Sequence, residues 1–427
     1  MGHKYLDPFF ILFFVLGIVI FLSFFTKESI AMGNIHIESL KIMPSIVVAR
    51  EYTDNYFPRD VKTVVDQNGN LKLVKVKKAV SLITLTPSLQ LLFPFRQNSF
   101  NVTYQLNSRR FQDQDMQKFD SNSHNIASKL QWHFFPSLTT EISDNLSYDE
   151  SSGQHATDIM INSQTNKVSV LNSYTLGRRY MSELEVTKSY SRYKQDQFKP
   201  DNNDDLAITS SFLYQVMPKT FVGVEYTHDR YNRKGSPYQD TDSTSQNYWF
   251  IINFDDPNGR LNGKLSGGTT KIKYDDPALN TGNNFFAFTG ALAFKKSNYT
   301  TINFSGMRAQ ATTGVVSEDA QYGASFKNTM LTLGLIHKFT YKISGTVGFS
   351  YGKLEFNTEG ATTTGGVGQT FSVARKDDTK SWGGGVEYKM RDWLGFKVNY
   401  SYTDHNSNYL EESYTRSLFT TEISLKF

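Results

Sequence analysis

The chain has 427 residues, of which 45 are basic and 41 acidic, for a net charge of +4, and it contains no cysteine. Charges so evenly interspersed leave no footprint for nucleic acid, and the missing cysteine excludes disulfide frameworks, thiolate zinc sites, thiol nucleophiles and lipidation on an N-terminal cysteine. A hydrophobic content of 39% and a mean hydropathy of −0.43 exclude a bundle of membrane helices, which needs long apolar runs, yet they fit a membrane β-barrel, whose strands need only every second residue to be apolar.

His3 and Lys4 precede an apolar run over 8–25, a polar stretch over 26–29 and the small-x-small site Ser29-Ile30-Ala31. This order predicts a secretory signal peptide over residues 1–31, with an uncleaved anchor as the alternative. Residues 32–40 then form a short periplasmic segment, too short for a plug domain, and residues 41–427 form the barrel.

Past the signal, runs of period-2 alternation repeat, separated in turn by short turns and long polar segments. Phe286, Phe288, Gly290, Leu292 and Phe294 share one face, against Ala287, Thr289, Ala291 and Ala293 on the other. Phe100, Val102, Tyr104 and Leu106 oppose Asn101, Thr103 and Gln105 in the same way. Short turns fall near 95–98, 135–137, 176–178, 217–219, 255–259, 295–298, 339–342 and 390–393, spaced by about forty residues, which is two membrane strands with one long and one short connection. Propeller blades or solenoid repeats of that size carry a recurrent signature that is missing here. The count of alternating runs predicts an all-β fold, a transmembrane antiparallel up-and-down β-barrel of about 18 strands (16–18).

Long segments over 58–78, 112–124, 149–163, 193–205, 231–246, 275–283, 311–321, 357–368 and 404–412 are expected outside the cell, with both chain ends in the periplasm of a Gram-negative bacterium. Asn68-Gly69 predicts that the first of them projects as a small hairpin. A soluble double sheet would show the same alternation. The export signal, the asymmetry of connection lengths and the alternating end Ile423, Leu425 and Phe427 favour the barrel. That ending resembles the signal read by the outer-membrane barrel assembly machinery.

Parity places Glu51, Arg109, Lys129, Glu141, Glu183, Glu185, Glu225, Glu387, Lys389, Lys397, Glu422 and Lys426 on the lumen face. Mixed charge among many hydroxyl and amide groups suits a hydrated polar solute. No chemistry-bearing motif stands out. The eight histidines form no close-spaced ligand pair, and neither a nucleophile elbow nor a phosphate-binding loop is present. His228-Asp229 reads as a structural pair, and 360–368 as a flexible loop. The acidic groups Asp255-Asp256, Asp275-Asp276 and 202–205 offer oxygen ligands for Ca²⁺ but are explained by turn chemistry. No catalytic residue, cofactor or metal is expected, and no enzyme.

The opening of the first strand, Met43-Pro44-Ser45 running into Tyr52-Thr53-Asp54-Asn55, resembles the start of a family of outer-membrane β-barrel porins of the second type. Leu85-Thr86-Pro87-Ser88 and Tyr400-Ser401-Tyr402 add to the resemblance. It implies a barrel associated with exopolysaccharide or capsule loci, with a polar polymer as cargo. For Tyr52, Thr53, Asp54 and Asn55 the plainest role is structural, at a strand-to-loop junction. The expected function is a channel for export of a polar polymer; the alternatives are a general or small-solute diffusion porin and a barrel that houses a periplasmic partner such as a cytochrome. Expected partners are outer-membrane lipid and lipopolysaccharide, the assembly machinery, a polysaccharide and periplasmic export components.

Overall fold

The computed structural model describes residues 35–37, 39–57, 61–65, 71–151, 160–196, 199, 202–233, 242–256, 259–275, 284–312, 325–356, 374–409 and 412–427. Alternation becomes strand wherever it was expected. The first half of the barrel comprises β1 (Leu40–Thr53), β2 (Val80–Phe95), β3 (Asn98–Phe111), β4 (Ser121–Phe135), β5 (Leu138–Ser151), β6 (Ile161–Leu176), β7 (Tyr180–Tyr193), β8 (Asn203–Met217) and β9 (Thr220–Arg233). The second comprises β10 (Ser243–Asp255), β11 (Leu261–Tyr274), β12 (Asn284–Lys295), β13 (Thr300–Thr312), β14 (Ser325–Lys338), β15 (Ile343–Phe356), β16 (Lys376–Arg391), β17 (Leu394–Ser407) and β18 (Tyr414–Lys426).

Each strand pairs antiparallel with its neighbours in the chain. The last then pairs with the first, from Ser45↔Lys426 to Thr53↔Leu418. The eighteen-stranded sheet is therefore closed, and no row of backbone donors and acceptors is left to seek a partner in lipid. A short strand, Ile35–Ile37, folds back on the start of β1 with Ile35 opposite Ile42.

The connections alternate as expected, eight short and nine long. Arg96 and Lys219, in two-residue turns, sit at φ 56° and 60°, the left-handed conformation that lets a tight hairpin follow the strand twist. The segment after β1 carries an antiparallel ribbon, Val61–Val65 with Leu71–Lys75. Asn68-Gly69, the signal peptide and 360–368 lie outside the described residues.

One expectation needs correction. The expected loops 112–124, 149–163, 193–205, 231–246, 311–321 and 404–412 take in residues that are strand, such as 121–124, 149–151 and 404–407. Strands run from 12 residues in β12 to 16 in β2, longer than the roughly 9–11 that cross a bilayer. The reason is physical: polarity marks where lipid stops, whereas backbone pairing continues beyond it into water.

The face bearing Val48, Phe212, Val224, Phe286, Leu333, Val347 and Trp382 leaves them 39%, 46%, 58%, 59%, 50%, 63% and 52% exposed. A surface this apolar is stable only against lipid. The opposite face is polar and, in a closed barrel, surrounds the lumen.

Candidate functional site

Residues opposite each other on paired strands share a face. Glu51 lies opposite Thr420 and Leu82, and Leu82 lies opposite Phe111. Glu422 lies opposite Lys397, and Lys397 opposite Glu387. Lys426 meets Ser45, Lys389 meets Gly395, Arg109 meets Thr84 and Lys129 meets Ser143. Glu141 and Glu185 both lie opposite Leu171, while Glu183 and Glu225 both lie opposite Ser211. All twelve residues singled out from parity stand on the polar face.

Two walls of that face differ in chemistry. On β5–β9 the carboxylates are held by hydroxyl donors. Glu185 accepts hydrogen bonds from Ser169 Oγ at 2.5 Å and Thr187 Oγ1 at 3.2 Å. Glu183 accepts from Ser173 Oγ at 3.3 Å and Ser211 Oγ at 3.2 Å. Lys129 pairs with Glu141 at 2.7 Å, and Lys264, which the sequence reading passed over, approaches Glu225 at 4.0 Å.

The other wall, β12–β17, is lined by short side chains. One row runs Ala291, Ser305, Thr332, Ser350, Ser381 and Thr403; the next runs Ala293, Asn303, Gly334, Gly348, Gly383 and Ser401. Ser381 Oγ and Thr403 Oγ1 are 3.0 Å apart. Among the described residues, the lysines on the inner face toward the short-turn end include Lys41, Lys295, Lys338, Lys389, Lys397 and Lys426, with Glu387 and Glu422 interspersed. Apolar cavities of about 300 and 430 Å³, lined by residues such as Phe288, Gly306 and Leu331 or Val347, Gly384 and Val398, belong instead to the lipid-facing side.

At the long-loop end the chain folds inward. Phe57, Val80, Leu82, Phe111, Met116 and Phe119 form a core that is 0–4% exposed. Tyr56 and Met160, from separate loops, pack against it. Val80, Leu82 and Phe111 share the face of Glu51, so the 3₁₀ turn Gln114–Phe119 and the segment that follows β1 lie inside the barrel outline. Lys78 hydrogen-bonds Asp115 beside this turn and holds its carboxyl below the ordinary range. Nothing in the polar sequence of 112–120 advertised this core; only Met116 and Phe119, spaced three apart, hinted at a buried side.

The motif at the end of β1 stitches the seam between the first and last strands. Tyr52 points outward and is 50% exposed. Asp54 Oδ1 accepts a hydrogen bond from the Ser417 backbone N–H at 2.6 Å, and Asn55 Nδ2 donates to the Thr415 carbonyl at 3.0 Å. Thr53 Oγ1 accepts from the Asn55 N–H at 3.3 Å. Across the same mouth, Arg375 is 1% exposed and clamps Asp377, with Nε 3.0 and 2.9 Å from its two oxygens, and lies 3.0 Å from Glu412. Phe356 lies under the guanidinium at 4.8 Å.

Of the remaining sequence candidates, His228 and Asp229 alternate and so face opposite sides of the wall, opposite Gln246 and Ser245. Within 202–205, Asn202 caps Tyr193 N at 2.7 Å, Asp204 turns outward to Arg192, and Asp205 turns inward to Ser189. Asp255 meets Lys219 at 3.3 Å, while Asp256 closes its turn by accepting from Gly259 N. Asp276 lies outside the described residues. Ile423 and Leu425 lie on the lipid side, and Phe427 N–H donates to the Pro44 carbonyl at 2.9 Å, at the closing seam.

A closed eighteen-stranded barrel with a greasy outer wall and a polar lumen is an outer-membrane β-barrel of the channel-forming, porin-like class. Residues 201–427 match the family described as "Putative beta-barrel porin 2", and the chain belongs to that family. Among solved structures it is similar to the siderophore receptor PirA from Pseudomonas aeruginosa, with 9% identity, a TM-score of 0.46 and coverage of 90% of this chain and 80% of that one. It is also similar to OccAB3 from Acinetobacter baumannii, with 11% identity, a TM-score of 0.47 and coverage of 90% and 99%. Neither lends a function to this chain. Among curated proteins, none matches.

Proposed function

We propose that the protein is a non-enzymatic, passive conduit through the outer membrane for a polar, sugar-rich polymer. The observation that carries this reading is the smooth inner wall of β12–β17, with its two rows of Gly, Ala, Ser, Thr and Asn. Hydroxyl and amide groups can exchange hydrogen bonds with a sliding polyol. The short side chains of those rows leave a broad, open concavity of about 830 Å³ along this wall, lined by groups that bind a polyol singly and weakly, and conduction needs binding weak enough to release. Carboxylates on β5–β9, already oriented by hydroxyl donors, face the stream as acceptors. In this reading the short turns, the lysine-bearing rim and both chain ends face the periplasm, as short turns do in other barrels of this kind. There the rim gathers anionic groups delivered by periplasmic export components, and steering of this kind raises the rate of entry.

A second reading, a diffusion pore for small solutes, is favoured by the core around Phe57 and Met116, which folds inward at the long-loop mouth. Conductance of the purified protein in planar bilayers, with and without neutral and anionic oligosaccharides of graded length, separates the two. Polymer passage predicts that long oligosaccharides block the ion current transiently from the short-turn side. Current blocked by short sugars alone supports the small-solute pore, and absence of any current contradicts both.

A further inference from the structure

The outward face is not uniformly apolar. On β14 it carries Leu331, Leu333 and Leu335 in succession, but on β4–β7 it carries Ser128, Asp144, Asn166, Asn172 and Lys188. Ser128 lies opposite Asp144, Asp144 opposite Val168, and Val168 opposite Lys188, so an acid and a base occupy one row with a single strand between them. Asp144 is flanked on its own face by Ile142 and Leu146, and Tyr148 follows four residues from it toward the long-loop end. Ile142 and Tyr148 are 41% and 37% exposed. This setting puts the carboxylate within the apolar band and not in the polar collar above it. Asp144 Oδ1 and Asn166 Oδ1 are both buried without a hydrogen-bond partner among the described residues. Lys188, between Val186 and Tyr190, is exposed.

A carboxylate and an ammonium facing hydrocarbon are penalised, most of all near mid-depth. They become tolerable when each meets its opposite away from lipid. We propose that the outward face of β4–β7 is the contact surface for a second copy of this chain, with Asp144 of each copy meeting Lys188 of the other. A two-fold contact needs a patch complementary to itself, and a row that holds one acid and one base on either side of Val168 has that property. The acyl chains of lipid cannot supply either partner.

The absence of native cysteine makes the test direct. In outer-membrane vesicles, Val168→Cys under mild oxidation should give a crosslinked species of twice the chain mass, while Phe349→Cys, on the apolar face of β15, should not. In detergent, D144K and K188D should each shift the assembly toward monomer, and the D144K/K188D double variant should restore it. Heat-modifiable migration on gels verifies that each variant is folded. If folded Val168→Cys crosslinks no more than Phe349→Cys, crosslinks to a species of another mass, or if the folded double variant stays as monomeric as the single ones, the proposal is overturned.

Discussion

Arg375, Asp377 and Glu412 show how a single residue holds the rim of this barrel. With the guanidinium 1% and the Asp377 side chain 0% exposed, the pair sits where an uncompensated charge is expensive. Arg375→Ala should lower stability by about 3–5 kcal/mol, because it removes the shared cation from two buried carboxylates, Asp377 and Glu412. The check is the temperature at which the folded, gel-compact form is lost. Glycines supply a second contrast. A Cβ on Gly268 would stand 1.9 Å from the Tyr248 carbonyl, while one on Gly348 would meet nothing nearer than the Leu333 carbonyl at 3.7 Å. Gly268→Ala should therefore force β10 and β11 apart and reduce the yield of folded protein. Gly348→Arg should fold normally yet lower single-channel conductance, since its side chain enters the lumen. Equal folding yields for the two variants would contradict the close approach at Gly268.

At the scale of elements, the inward-folded segment separates this barrel from a plain open cylinder. Phe57 is fully buried between the end of β1 and the turn Gln114–Phe119, with its ring centroid 5.1 Å from that of Phe119. Phe57→Ala should cost the local core about 3–5 kcal/mol, too little to open the closed sheet but enough to release the turn. Single-channel recordings should then show higher or noisier conductance at an unchanged melting temperature of the barrel. Unaltered recordings would mean that the core braces the rim without narrowing it. The strands were legible because lipid on one side and water on the other impose a period of two, which a sequence displays directly. The core around Phe57 was not, because its members come from four separate segments and no local period links them.

For the whole molecule, the distribution of charge along the lumen matters more than the net charge of +4. Lysines gather at the short-turn rim and carboxylates along β5–β9. Exchanging Lys338, Lys389 and Lys397 together for Gln should shift the reversal potential under a salt gradient toward cation selectivity. The shift should shrink as ionic strength rises and the Debye length shortens to about 3 Å at 1 M. A potential that does not move would show that these side chains stand clear of the ion path.

The amino-acid sequence alone determined the class of fold, the strand number to within two and the two faces of the wall, and parity put the twelve charged residues on one of those faces. Each of these follows from alternation, which is local. Even the positions of the short turns could be read, because turn residues must supply the conformations a hairpin needs. Tertiary structure decided what depends on residues far apart in the chain: the closure of β18 on β1 through Asp54 and Ser417, the core that enters the long-loop mouth, and the sorting of inner side chains into a carboxylate wall and a smooth one. It also decided that Asp144 and Lys188 share a row. Parity assigns a residue to a face, but only the register between strands says which residues on that face are neighbours.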